Sequence, residues 1–416
     1  MLVRRAHAAH ALLLALAAGG CGGSAIDETL AAPDDAGAVD AATDTALDAS
    51  AEGSADASAD VAVDVAADTA AEGAADATPD VAADTTAEAA PPWDGGFGAP
   101  IQATNDQWTW VPFSDAFCGN GSTTGLGVQP TTRSDKLLIY LEGGGACWDA
   151  LTCNILNTAS NLNGYGASSF GGGPGSGIFN RADTDNPFRD YSFVYVPYCT
   201  GDVHAGDNVA SYGTRHVGFA NMTAFLKRIA PTFAASSQVV LSGSSAGGFG
   251  ALWNFVQTQQ AFGATHVDLV DDSGPPLRPP YMGISLQQTW NTVWGLTKTM
   301  PAQCPTCNTT DGLHNLVPTI AAMYPDHRLA LISSQQDQVI STFFGIGGLQ
   351  MQTGLDDFAD VVAAPLANFK VFYVTGSHHT WLGENPVGKT TTAGVTLSAF
   401  LRREVTGDAA WASVRP

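Results

Sequence analysis

The stretch Val239-Val240-Leu241-Ser242-Gly243-Ser244-Ser245-Ala246-Gly247-Gly248 is the most informative part of the chain, because it predicts a strand joined to a helix through a tight turn. The apolar run before Gly243 predicts a buried strand, and residues 249–260 are compatible with a helix. A Gly-x-Ser-x-Gly core in this setting is typical of a nucleophile elbow, which lifts a serine hydroxyl above a sheet. The flanking residues are small because the backbone crowds the nucleophile. Ser245 is therefore a candidate catalytic serine, and a glycine-rich structural turn is the alternative interpretation.

Further apolar runs on both sides of this stretch predict a mainly parallel sheet. The runs are continuous rather than alternating, as expected for strands covered on both faces. The predicted strands are 137–141, 193–197, 239–241, 267–270, 329–333 and 369–374, and the predicted helices are 216–229, 249–260, 356–366 and 391–405. This alternation predicts a doubly wound α/β sheet with helices on both faces, in a single domain. We expect a loop at 164–177 and an irregular lid or insertion at 275–310.

Composition divides the chain into three parts. Residues 1–20 combine early positive charge with an apolar run too short for a membrane span, which predicts a signal peptide. Small residues precede Cys21, as at a bacterial lipoprotein cleavage site, so we expect lipidation of Cys21, with plain secretion as the alternative. Residues 21–92 are rich in Ala and Asp, with acidic residues at every fourth position over much of their length, and predict a disordered, self-repelling tether. Residues 93–416 are the predicted folded domain.

Most of the net negative charge lies in the predicted tether. The formal net charge of the chain is −23, and 18 of its 40 acidic residues lie between Asp27 and Asp94. The remaining part has 22 acidic against 15 basic residues, a net charge of −7. Such a mildly acidic surface argues against nucleic-acid binding, which needs a basic footprint.

The chain contains 7 cysteines, and six remain when Cys21 is set aside for lipid. An even number in an exported chain predicts three disulfides. The six are Cys118, Cys147, Cys153, Cys199, Cys304 and Cys307. Cys147 could pair with the nearby Cys153, and Cys304 with Cys307, which would leave a long-range pair. A zinc or redox role for the Cys304–Cys307 pair is the alternative, but no second ligand pair accompanies it.

A serine hydroxyl becomes a strong nucleophile when a base takes its proton and an acid orients that base. After an elbow of this kind, the acid and then the base follow the serine along the chain, in loops after strands. Asp337 follows the predicted strand at 329–333 and is the preferred acid. Asp271 and Asp272 follow an earlier strand and compete with it. The non-catalytic alternative for Asp337 is a helix cap.

The candidate base comes late in the chain. Two neighbouring histidines, His378 and His379, follow the predicted strand at 369–374. Neighbouring side chains point in different directions, so one of the two can reach Ser245. We prefer His379, with His378 as the alternative.

A second glycine-rich segment follows the predicted strand at 137–141. It reads Leu141-Glu142-Gly143-Gly144-Gly145-Ala146-Cys147-Trp148. Consecutive glycines leave backbone N–H groups accessible to a substrate oxygen, and Ala246, directly after Ser245, supplies another. A phosphate-binding loop is disfavoured, because no Lys-Ser/Thr pair follows. The segment predicts an oxyanion hole.

These segments together resemble the pectin acetylesterase/Notum family of α/β-hydrolases, and Cys21 suggests a bacterial lipoprotein member. The resemblance spans roughly residues 100–385. The segments that carry it are Cys118-Gly119-Asn120-Gly121-Ser122, Leu141 to Trp148, Val196-Pro197-Tyr198-Cys199-Thr200-Gly201-Asp202-Val203-His204, Gly243 to Gly248, and Asp272-Ser273-Gly274.

The resemblance implies specific roles. They are Ser245 as nucleophile, Asp337 as acid, His379 as base, Gly144, Gly145 and Ala246 as oxyanion donors, and Cys118–Cys199 and Cys147–Cys153 as disulfides. Ala146 stands where the family has an aromatic residue, so the family's acyl and sugar preferences do not transfer directly.

We therefore expect a serine-dependent carboxylic ester hydrolase that uses no metal or organic cofactor. The resemblance implies acetyl removal from a polysaccharide, so the expected partner is an acylated carbohydrate or another ester. A lipase or polyester depolymerase acting on longer acyl chains is one alternative, and a non-catalytic surface binding protein is another. We expect export to the bacterial cell envelope, with membrane contact limited to a lipid on Cys21 and no nucleic-acid partner.

Overall fold

The structure is a computed structural model that describes residues 93–309, 312–385, 387 and 389–416. The predicted signal peptide, lipidation site and tether lie outside the described residues and stay predictions. No helix among the described residues has the length and apolar character needed to cross a membrane.

Strands and helices alternate along the described part of the chain. Strands β1 to β12 are Thr109–Phe117, Thr123–Gln129, Lys136–Leu141, Ser192–Val196, Asn208–Val209, Arg215–His216, Gln238–Ser244, Val267–Asp272, Leu329–Ser334, Phe369–Val374, Thr391–Thr392 and Val395–Thr396. Helices α1 to α9 are Ala150–Asn154, Ala167–Phe170, Gly218–Thr232, Ala246–Phe262, Ile284–Val293, Leu316–Met323, Gln338–Phe344, Gly348–Asp357 and Leu397–Val405. A π-helix, Phe358–Ala363, continues from α8.

Eight of these strands form one mixed sheet in the order β1-β2-β4-β3-β7-β8-β9-β10. Within this sheet the neighbours from β4 through β3, β7, β8 and β9 to β10 pair in parallel, whereas β2 is antiparallel to both β1 and β4. The predicted α/β class is confirmed, and each of the six predicted strands is one of the parallel strands. The carboxyl ends of those strands meet at one edge, where open α/β sheets bind ligands.

The continuous apolar runs are explained by a core on each face of the sheet. Along β3, Leu137 and Ile139 belong to one buried cluster, and Leu138 and Tyr140 belong to the other. Helices α3 and α4 pack over the first face, and α9 packs over the second. Both faces therefore need apolar side chains, which removes the alternation seen in half-exposed strands.

Strands β1 and β2 were not predicted from the sequence. Pro112 interrupts the apolar pattern of β1, whose pairing with β2 shifts register between Pro112 and Phe117, and glycines interrupt the apolar pattern of β2. One of them, Gly127, leaves space for the ring of Phe170, because an added Cβ would lie 2.2 Å from its Cζ atom. These two strands therefore depend on long-range packing, and their local sequence pattern does not predict them.

The predicted helix at 391–405 is wrong at its start. Residues 391–396 form the β11–β12 hairpin, because Ala393 and Gly394 take positive φ values of 47° and 78° that a helix does not allow. Helix α9 begins only at Leu397, where the side chain of Thr396 accepts a hydrogen bond from Ala399 N–H.

Three other predicted boundaries also change. The predicted helix at 356–366 begins earlier, at the start of α8, and its later part is the π-helix. The region 275–310 contains a regular helix, α5, so it is not irregular throughout. The predicted loop at 164–177 contains the single-turn helix α2.

Candidate active site

Ser245 lies in a sharp turn between β7 and α4. Its backbone has φ 56° and ψ −121°, a strained conformation for a residue with a side chain. The N–H group of Ser245 donates to the carbonyl of Asp272 at 2.7 Å, which ties the turn to β8. Ser245 is 8% exposed. The local geometry is that of the nucleophile elbow predicted from the sequence.

The glycines around Ser245 are required by close backbone contacts. A Cβ atom on Gly243 would lie 2.2 Å from the carbonyl oxygen of Gly247, and one on Gly247 would lie 1.9 Å from that of Leu141. Both distances are far below van der Waals contact, and the obstructing atoms belong to the backbone. Only glycine fits at either position.

The Gly143–Gly145 loop packs directly against the elbow. A Cβ atom on Gly143 would lie 2.5 Å from the carbonyl oxygen of Ser244 and 3.1 Å from Cβ of Ser245. Gly144 and Gly145 have positive φ values of 150° and 76°, which glycine adopts without strain. This contact brings the loop with two predicted oxyanion donors next to the candidate nucleophile.

The third predicted donor, Ala246, is the first residue of α4. Its N–H belongs to the first helical turn, whose N–H groups have no acceptor within the helix. The helix dipole also favours negative charge at this end. The position of Ala246 therefore suits stabilisation of a developing oxyanion beside Ser245.

Asp337 and His379 lie in contact although 42 residues separate them in the chain. The distance from Nδ1 of His379 to Oδ2 of Asp337 is 2.7 Å, and Asp337 is fully buried. The other carboxylate oxygen of Asp337 accepts hydrogen bonds from the N–H groups of Val339 and Ile340 at the start of α7. Asp337 thus caps a helix and contacts His379 at the same time.

His378 makes a different contact. Its Nε2 atom lies 3.0 Å from Oε1 of Glu384, both side chains are about half exposed, and its ring packs on Trp381. The structure therefore brings His379, and not His378, to Asp337.

The competing carboxylates, Asp271 and Asp272, are both buried at the end of β8. Oδ1 of Asp271 accepts the N–H of Gly274, and Asp272 accepts hydrogen bonds from Ser244 and from the loop after β10. Burial raises the pKa of both carboxyls. Neither makes a hydrogen bond to a histidine ring within the described part of the chain.

The three expected disulfides are present as Cys118–Cys199, Cys147–Cys153 and Cys304–Cys307. The zinc alternative for Cys304 and Cys307 is therefore wrong, because both sulfurs are bonded. His216 brings a nitrogen within 4.8 Å of the Cys147–Cys153 sulfurs. Its ring nitrogens instead contact the Tyr212 hydroxyl and the Thr200 carbonyl, and burial lowers its pKa to about 4. These contacts occupy the ring, so this cluster offers no free set of metal ligands.

Two aromatic side chains beside the glycine loop were not identified from the sequence. An added Cβ on Gly145 would lie 3.2 Å from Cζ of Phe343, and the rings of Trp148 and Phe343 pack edge to face at 6.5 Å. Ala146 is buried in the core cluster beneath them. Trp148 was visible in the glycine-rich segment, whereas Phe343 follows Asp337 by six residues and carries no local signal.

Comparison with known proteins identifies the family of the chain. The model of the pectinacetylesterase family matches residues 106–339, which is more than half of the chain. The matched region includes the glycine loop, Ser245 and Asp337, and it ends before His379.

Individual relatives match over shorter regions. The chain is 30% identical over 145 residues to palmitoleoyl-protein carboxylesterase notum2 of Xenopus laevis, covering 33% of this chain and 29% of that protein. It is 28% identical over 225 residues to notum1 of the same organism, covering 50% and 42%. The alignments thus span less than half of these relatives' length. A relative described as inactive, notum1b of Danio rerio, is 27% identical over 109 residues, which is 26% of this chain and 78% of that protein.

The fold is also found among solved structures. The Wnt deacylase Notum from Drosophila has a TM-score of 0.58 with this chain, at 17% identity, over 75% of this chain and 97% of that one. At this identity the similarity establishes the fold.

Proposed function

Because the chain belongs to the pectinacetylesterase family, we propose that it is a serine-dependent carboxylic ester hydrolase that removes acetyl groups from a polysaccharide. The contact between Asp337 and His379 carries the proposal. It joins an acid and a base from two strands at the sheet edge that also presents Ser245, in the order along the chain that a serine hydrolase requires.

The proposed reaction has two steps. In the first, His379 takes the proton of the Ser245 hydroxyl as the oxygen attacks the ester carbonyl carbon. The N–H groups of Gly144, Gly145 and Ala246 stabilise the oxyanion, and Asp337 orients the imidazolium. The C–O bond to the sugar then breaks, and His379 returns the proton to the leaving alcohol.

In the second step, His379 takes a proton from water as the water oxygen attacks the acyl-enzyme. The bond to Ser245 breaks, the serine regains a proton from His379, and acetic acid is released, which gives its proton to the solvent and becomes acetate. Each step uses groups of this chain and water.

Replacement of Ser245 by alanine tests the mechanism. We expect Ser245→Ala to lower kcat on p-nitrophenyl acetate about 10⁴-fold or more while the fold remains intact. Ser237→Ala, at the exposed residue directly before β7, is the matched control and is expected to keep full activity. Thermal unfolding of the full-length variants checks folding, and wild-type turnover by Ser245→Ala would rule out the mechanism.

Two observations keep other functions in view. Relatives described as palmitoleoyl-protein carboxylesterases, together with Trp148 and Phe343 beside the glycine loop, favour longer acyl chains. An activity that rises with acyl length, measured on the same enzyme with acetylated polysaccharides and longer esters, would contradict the deacetylase proposal and support the longer-chain esterase.

The relative described as inactive favours a non-catalytic binding protein as another alternative. A Ser245 that stays unlabelled after treatment with a fluorophosphonate probe would support that function.

We also propose that the protein is exported and held at the bacterial cell envelope by a lipid on Cys21, with residues 21–92 as a spacer. The short apolar run and the small residues before Cys21 support this proposal. Mass spectrometry of the mature N-terminus is expected to show an acylated Cys21, and an unmodified N-terminus elsewhere in the chain would contradict it.

A further inference from the structure

Asp272 is the last residue of β8 and lies fully buried between β7 and the loop after β10. Its Oδ2 atom accepts hydrogen bonds from the Ser244 hydroxyl at 2.6 Å and from the N–H groups of Trp381 and Leu382 at 2.8 Å and 3.0 Å. One carboxylate thus joins the residue before the candidate nucleophile to the loop that carries the candidate base.

The partners of this carboxylate indicate that it is ionised. Trp381 N–H also approaches Oδ1 at 3.0 Å, and the hydroxyl of Ser273 approaches it at 3.3 Å. Backbone N–H groups can only donate, and two of them point at Asp272. A carboxylate accepts from all these groups, whereas a carboxylic acid could donate its proton only to one of the two serine hydroxyls and would lose the hydrogen bond that this hydroxyl donates. Burial raises the pKa of Asp272, and the donors from Leu382, Ser244 and Trp381 oppose that effect.

The backbone around Asp272 fixes the same two elements. The carbonyl of Asp272 accepts the N–H of Ser245 at 2.7 Å. The next residue, Ser273, accepts the N–H of Thr380 through its hydroxyl at 3.3 Å. Thr380 has φ 64°, so the chain turns sharply directly after His379. The end of β8 is therefore in contact with both sides of the site.

We propose that Asp272 is a positioning residue that sets the location of His379 relative to Ser245 and whose negative charge stabilises the protonated imidazole. This inference rests on the proposed function and adds to it a second buried carboxylate with a role distinct from that of Asp337. Asp337 contacts the ring of His379 directly. Asp272 acts through the backbone N–H groups of Trp381 and Leu382, which follow His379, and through the electrostatic field of its own charge.

Other ionisable groups also surround this carboxylate. Asp272 interacts electrostatically with Tyr140 on β3, with the preceding residue Asp271 on β8, and with His379 in the loop after β10. Glu142 lies further along the chain from Tyr140 and interacts with the same tyrosine. Among these groups His379 is the one whose positive form the Asp272 carboxylate would stabilise.

Asp272→Asn in the full-length protein tests the proposal, because it keeps the shape and removes the charge. We expect kcat/KM on p-nitrophenyl acetate to fall about 100-fold, mainly through kcat, since a small displacement of reacting groups has effects of this size. We also expect the acid limb of the pH profile to move to lower pH, because the imidazolium loses a neighbouring negative charge. An unchanged acid limb would overturn the electrostatic part of the proposal.

Three variants separate positioning from general destabilisation. Asp271→Asn makes the same chemical change at the neighbouring buried residue and is expected to leave the acid limb in place. Ser244→Ala removes one hydrogen bond without changing charge and should also leave it in place. Asp272→Glu keeps the charge but displaces it, so it should keep the wild-type acid limb while kcat falls about tenfold. Wild-type kcat in Asp272→Glu would overturn the positioning role even if Asp272→Asn fails to fold.

A measurement without turnover distinguishes this inference from the proposed function. The pKa of His379 can be followed by NMR of isotope-labelled histidines, with its signal assigned by loss in His379→Ala. A lower His379 pKa in Asp272→Asn supports the inference even if the wild-type protein hydrolyses no ester. An unchanged His379 pKa, with normal hydrolysis by Asp272→Asn, overturns the inference and leaves the proposed function intact.

Discussion

The nucleophile side and the base side of the candidate site are held by different kinds of interaction. On the nucleophile side, the backbones around Ser245 approach so closely that a Cβ on Gly247 would lie 1.9 Å from the Leu141 carbonyl oxygen. On the base side, a Cβ on Gly383 would meet nothing within 4 Å. There the structure depends on hydrogen bonds to buried carboxylates, among them the contact between His379 and Asp337.

This difference explains why the sequence pattern predicts the nucleophile side better than the base side. Steric exclusion acts on the residue itself, so it leaves a glycine pattern around Ser245 that can be identified without a structure. A hydrogen bond between distant residues requires only a suitable partner, so it leaves no spacing rule. Consistently, the match to the family model includes the elbow and ends at residue 339, before His379.

The largest expected effect on stability comes from filling the close contact of the elbow. Gly247→Ala is expected to lower the free energy of unfolding by about 4 kcal/mol or more, because its obstructing atoms are backbone. Gly383→Ala, on the base side, is the matched control and should change the free energy of unfolding by less than about 0.5 kcal/mol. Urea unfolding and soluble yield measure both. Equal effects of the two variants would remove the contrast between the two sides.

The next effect concerns the hydrogen bond on the base side. Asp337→Asn is expected to reduce kcat about 10⁴-fold with little loss of folding, because an amide favours the wrong tautomer of His379. The remaining amide oxygen can still accept the N–H groups at the start of α7. His378→Ala, which removes the exposed neighbour, should keep kcat close to that of the wild type. Steady-state kinetics and thermal unfolding test the pair, and the reverse ranking would make His378 the base.

The smallest expected effect tests whether the nucleophile side is held by sterics alone. Glu142 precedes the glycine loop, its Oε2 accepts the N–H of Tyr198, and burial raises its pKa to about 7. Because the pKa of Glu142 in the folded protein exceeds its ordinary value of 4.5, the bound proton stabilises the folded state. This contribution to the free energy of unfolding is complete below pH 4.5 and is lost as the pH rises through 7. Glu142→Gln should remove this loss.

We expect the difference in unfolding free energy between Glu142→Gln and the wild type to change by about 2 kcal/mol in favour of the variant from pH 4.5 to pH 8. This figure allows for the partial exposure of the Glu142 side chain. Urea unfolding at both pH values measures it. Glu384→Gln, at an exposed pair on the base side, is the control and should show little dependence on pH. A difference between Glu142→Gln and the wild type that is the same at both pH values would contradict the assignment.

The fold could largely be predicted because the parallel strands are covered on both faces. That burial makes each of them a continuous apolar run, and β10 has the predicted bounds, Phe369–Val374. Strands β1 and β2 lie outside this rule, since their pairing tolerates Pro112 and glycines that obscure the pattern. The hairpin before α9 was missed because Ala393, which takes a positive φ beside Gly394, is a residue type that favours helices.

The α/β class, the tight turn at Ser245 and the glycine loop could all be predicted from the amino-acid sequence, because each follows from local burial or local sterics. Only the tertiary structure decided that Asp337 contacts His379 rather than His378, that Phe343 packs beside Gly145, and that Asp272 links the two sides. These contacts join residues from strands that are distant in the chain, so their distances depend on the order of strands in the sheet. The local sequence predicts the turn at Ser245, and the packing of the sheet places around it the side chains that such a turn needs for catalysis.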